Sequence, residues 1–97
     1  MIPIENVQPL SAEALYDLLK KEFADYVNTK LDSNLTIDYA HVFDVINILF
    51  PEIIEGTAFT ITISDKEINL INHTEVQVYN TELLEQHLIE FLNEKAG

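Results

Sequence analysis

The chain has 97 residues, 47% of them hydrophobic, and sets seventeen Asp and Glu against five Lys and no Arg, for a net charge of −12. That length suits a single domain over residues 1–97, and the lack of cysteine rules out disulfides, thiolate metal sites and a cysteine nucleophile. The charge argues against direct binding to nucleic acid or anionic membranes, which need cations to displace their counterions, and against phosphate-bearing substrates.

Residues 1–9 hold Pro3 and Pro9 and read as an extended N-terminal segment over the surface. A first helix begins at Ser11, whose side chain suits an N-cap, with Glu13 in the first turn where the helix dipole favours an anion. Leu15, Leu18, Leu19, Phe23, Tyr26 and Val27 then recur at spacings of three and four, and the pattern fades at Leu31. A second helix is expected next, capped by Thr36 or Asp38. Its stripe is Val42, Phe43, Ile46, Leu49 and Phe50, widened by Val45 and Ile48, and Pro51 stops it. The segment is rich in β-branched residues, so a strand over 35–39 stays open as an alternative.

After Gly56 the period changes to two. Phe59, Ile61 and Ile63 alternate with Ala58, Thr60 and Thr62. Ser64-Asp65-Lys66 reads as a turn, Ile68 and Leu70 repeat the alternation, and Val76 and Val78 continue it after a turn at Asn72-His73-Thr74. A last helix starts at Asn80 or Thr81 and runs to about Lys95, with Leu84, Leu88, Phe91 and Leu92 inward. The expected fold is therefore α+β, a three-stranded antiparallel β-meander packed on three helices in the order α-α-β-β-β-α. Its expected core is Leu15, Leu19, Phe23, Val42, Phe43, Ile46, Phe50, Phe59, Ile61, Ile68, Leu70, Val76, Val78, Leu88 and Phe91.

Few residues offer chemistry. His41 lies three residues from both Asp38 and Asp44, a spacing that on a helix places them together as some bundle metal sites do; more simply, it is a surface histidine flanked by carboxylates. Ser11, Ser33 and Ser64 lack the strand–turn–helix elbow and Gly-rich oxyanion loop of a serine nucleophile. Asp32-Ser33-Asn34-Leu35 resembles the carrier-serine segment of acyl carrier proteins, Asp-Ser-Leu at a helix start, but Asn34 stands where Leu should follow. A β-meander does not fit that all-helical family either. The glycosylation patterns Asn34-Leu35-Thr36 and Asn72-His73-Thr74 would need a secretory signal, which the opening residues do not provide. No catalytic residue, metal or cofactor is expected, and the expected compartment is the cytoplasm.

Surface composition carries the functional expectation. Glu13, Asp17 and Asp25 on the first helix, and Glu82, Glu85 and Glu90 on the last, point away from the apolar stripes. Such carboxylates fit a small non-catalytic binding module that inhibits or shields a basic partner, as an immunity protein or DNA mimic does, or simply keep the chain soluble. The sheet face away from the helices, with Thr60, Thr62, Ile71 and Tyr79, supports the alternative of an assembly protein that forms a homodimer through that face.

Overall fold

The structure, a computed structural model, describes residues 2–32, 34–52, 54, 56–73 and 81–97. It is α+β, and among the described residues it comprises five antiparallel strands and two helices. The strands are β1 (Ile2–Glu5), β2 (Asp38–Val42), β3 (Val45–Leu49), β4 (Thr57–Ile63) and β5 (Glu67–Asn72), in the sheet order β1-β5-β4-β3-β2.

The first helix joins α1 (Ala12–Leu18) to α2 (Ala24–Leu31) through a π-helical turn over Leu19–Phe23. Ser11 caps it, its hydroxyl accepting from the Ala14 N–H at 3.1 Å. The π-turn has a packing reason. Leu15, Leu19, Phe23 and Val27 are all fully buried at a constant spacing of four. In a regular α-helix that spacing drifts by about 40° per step. The wider turn takes back much of the drift, so all four side chains stay on the sheet.

The second helix, α3 (Thr81–Ala96), packs beside the first. The Phe23 and Phe91 rings meet edge-on at 5.3 Å, Tyr26 meets Phe91 at 5.5 Å, and the Lys95 ammonium donates to Glu22 at 2.8 Å. Both helices cover one sheet face, where Ile4, Ile46, Ile48, Phe59, Ile61, Ile63, Ile68 and Leu70 are buried.

Three sequence expectations are corrected: the second helix, the burial of Val42 and Phe43, and the surface course of residues 1–9. The segment expected as a second helix is the β2–β3 hairpin, with Val42 facing Val45 across the two-residue loop Phe43-Asp44. A dense apolar run satisfies helical and strand spacing at once, and Val42, Val45, Ile46 and Ile48 are β-branched, which favours the pleated form. Ile46, Ile48 and Phe50 are buried as expected, whereas Val42 is 58% and Phe43 is 90% exposed. The residues at 1–9 do not merely lie on the surface: Ile2–Glu5 pair with Glu67–Leu70, as strand β1. Pro3 stands there because an outer strand tolerates a residue without an N–H. The meander strand expected at Val76 and Val78 lies outside the described residues.

Candidate functional site: an acidic corner of the sheet

The antiparallel order brings the β1–α1 loop, the β2–β3 turn and the β4–β5 turn to one end of the sheet. Asn6 holds two of these loops together and is itself buried. Its backbone N–H donates to the Lys66 carbonyl, its side-chain amide donates to the carbonyls of Leu10 and Ser64, and its side-chain oxygen accepts from the Leu10 N–H, all at 2.9 Å. Ser64 closes the β4–β5 turn onto Glu67 through both its backbone N–H and its hydroxyl. The Asp44 carbonyl accepts from Ile63 N–H at 2.9 Å, which ties the third loop to the same end.

This rigid end carries carboxylates. In the β1–β5 register Glu5 stands directly opposite Glu67, and both are exposed. A shallow depression beside them is lined by Glu5, Val7, Asp65, Lys66 and Glu67. Asp65 and Asp44 face a second cleft, walled by Leu10 and Ser11. Like charges directly opposed across strands are destabilising. The Lys95–Glu22 ion pair and the His87–Glu90 contact both lie on the helix layer, so neither neutralises this corner. Exposed Val7 adds an apolar contact point amid the charge.

The carboxylates singled out from sequence lie on the helix layer. Glu13, Asp17, Asp25, Glu82 and Glu90 are exposed, while Glu85 is half-buried and accepts from the Asn72 side-chain amide at 2.6 Å. Glu82, Glu85 and Glu90 share a shallow depression on α3 with Gln86 and Ile89. The first helix sets four carboxylates against three lysines and α3 four against one, so together the helices account for only −4 of the −12. Among the described residues outside the helices the strands and loops carry −6, more than both helices together, and composition alone could not locate it. The signal that could have found the corner is the pairing of Glu5 with Glu67, and it appears only once residues 2–5 are read as a strand.

Of the face expected to self-associate, Thr60, Thr62 and Ile71 do share one side of the sheet, opposite the helices, while Tyr79 lies outside the described residues. Thr60 gives its hydroxyl proton to Asn47 Oδ1 at 2.7 Å and therefore accepts from His73 Nε2, also at 2.7 Å, which sets the His73 tautomer.

The His41 trio does not assemble. In a strand, residues three apart point to opposite faces, so Asp38 is on the open face and His41 is on the helix side. His41 Nε2 donates to the Phe43 carbonyl at 2.8 Å, and its ring stacks obliquely on Tyr16 at 5.1 Å. Among the described residues no group of three His, Cys, Asp or Glu could hold a metal ion. Ser11 and Ser64 are engaged in a cap and a turn, and Ser33 lies outside the described residues. Asp32 closes the first helix in a left-handed conformation (φ 50°) instead of preceding a helix, unlike the carrier-serine segment it resembled.

No helix among the described residues is long and apolar enough to cross a membrane. No protein-family model, curated protein or solved structure matches the chain.

Proposed function

We propose that this protein is a small, acidic, non-catalytic protein-binding module that engages a basic partner, in the manner of an inhibitor, immunity protein or nucleic-acid mimic. The observation that carries the reading is Glu5 directly opposite Glu67 beside Asp65, an exposed anionic corner built on a loop framework that Asn6 holds rigid. Preorganised charge of one sign speeds encounter with an opposite surface and makes binding sensitive to salt. The helix carboxylates Glu13, Asp17, Asp25, Glu82, Glu85 and Glu90 extend the field around the corner.

The test is a pull-down from the source lysate, washed at about 0.05 M and then about 0.5 M salt, between which the Debye length falls severalfold. A basic protein should elute between the two washes. It should be lost with a Glu5→Gln/Asp65→Asn/Glu67→Gln variant and only weakened with Glu82→Lys/Glu90→Lys, which thins the surrounding field but leaves the corner intact. Equal recovery by the corner variant and the wild type contradicts the reading.

A second reading, assembly through the open sheet face, is favoured by one observation: Thr62 is exposed and Ile71 only half-buried on the side away from both helices. It expects Ile71→Lys to abolish self-association that survives high salt. Self-association unchanged by Ile71→Lys would rule that face out.

A further inference from the structure

At the other edge of the sheet, strand β2 has no neighbour beyond it among the described residues. In a two-residue hairpin the closing pair, here Val42 and Val45, is hydrogen-bonded, and hydrogen-bonded and non-hydrogen-bonded pairs then alternate. The outward-facing N–H and C=O groups are therefore those of Tyr39 and His41. Edges left open in this way are usually blunted by charged side chains, Lys above all, by Pro or by a bulge; β2 has no Lys, Pro or bulge, and its one carboxylate, Asp38, sits at its first position.

Two more features lie along that edge. Phe43, at the hairpin tip, is 90% exposed and has φ +54°, a conformation that a bulky side chain rarely adopts. Its carbonyl is held by His41 and the neighbouring Asp44 carbonyl by Ile63, so the turn is fixed from both sides. The tight turn accounts for the positive φ; the exposure of a large ring at the tip of a fixed turn is what points to a contact made outside the chain. The second feature is an open depression between β2 and α1, lined by Tyr16, Lys20, Ile37, Asp38 and Tyr39, where two tyrosines and an isoleucine stand between a lysine and a carboxylate.

We infer that the protein forms a symmetric homodimer by antiparallel pairing of β2 with β2 of a second copy, centred on Ala40. That register alone uses all four outward groups, with Tyr39 facing His41 of the second copy and His41 facing its Tyr39. It also sets Asp38 against Val42 of the second copy, so no two carboxylates oppose each other. One step further along, Phe43 comes opposite Ile37 of the second copy, at the depression it would fill, and the two-fold axis repeats the contact. The result is a continuous ten-stranded sheet whose acidic corners lie at its far ends. The dimer does not depend on the acidic-corner reading, and its salt response has the opposite sign: screening the −12 on each chain tightens it.

The natural chain has no cysteine, so a single Ala40→Cys substitution tests the register. At a non-hydrogen-bonded pair on the two-fold axis the two Cα atoms are about 4.5 Å apart, within reach of a disulfide. Mild oxidation should link Ala40→Cys rapidly and Thr62→Cys, on the open face, far more slowly. In sedimentation equilibrium the wild type should dimerise more tightly at about 0.5 M than at about 0.05 M salt. Phe43→Asn, which tolerates the positive φ, should keep the circular dichroism spectrum and weaken the dimer by about tenfold or more. A wild type that stays monomeric at both salts, equal cross-linking at the two positions, or undiminished dimerisation of Phe43→Asn would each overturn the proposal.

Discussion

Tyr39 shows how one atom can set a pH dependence. Its hydroxyl is buried without a hydrogen-bond partner among the described residues, and burial pushes its pKa well above the ordinary phenol value. Because the folded form holds the proton longer than the unfolded one, this contribution to stability is intact below about pH 10 and is lost as pH rises toward the folded pKa. An orphaned buried hydroxyl also costs roughly 1–3 kcal/mol. Tyr39→Phe should therefore raise unfolding stability by about 1 kcal/mol near neutral pH and flatten the loss above pH 10. Urea titrations at pH 7 and pH 10.5 check both. A less stable variant with the same alkaline slope would mean that the hydroxyl has a partner.

Elements were legible where one spacing rule applied alone. The first helix from Ser11 to Leu31, the last helix and the alternation at Phe59, Ile61 and Ile63 all appear as read. The hairpin was illegible because its turn lacks the usual marker. A two-residue loop needs positive φ and normally takes Gly or Asn there, yet Phe43-Asp44 supplies neither. Strand β1 was hidden by Pro3 and by its dependence on β5, a partner more than sixty residues away. Between elements, Phe91 is the contact that matters most: it is buried and meets both Phe23 and Tyr26. Phe91→Ala should cost about 3–5 kcal/mol, a large share of the stability of a domain this size. An unchanged thermal midpoint would show that α3 does not pack on the first helix as described.

At the scale of the whole molecule, the sum of charge was legible and its placement was not. Composition alone directed attention to the helix faces, but there lysines offset half of the acids: Lys95 pairs with Glu22, and Lys20 and Lys30 lie over the rings of Tyr16 and Tyr26. Strand pairing concentrates Glu5, Asp65 and Glu67 at one corner instead, where Lys66 is the cation beside them. The outer edge of β2, unpaired among the described residues, stands at the opposite side of the sheet, so the basic partner and the second copy that we propose would use separate surfaces.

The most direct test of the acidic corner is an amide chemical-shift titration of the protein with a short oligolysine peptide, a stand-in for a basic surface. The corner should respond first, with the largest shifts at Glu5, Asn6, Asp65, Lys66 and Glu67, and these shifts should collapse in high salt. Largest shifts along 82–90 of α3, or small ones spread evenly over the chain, would contradict the account.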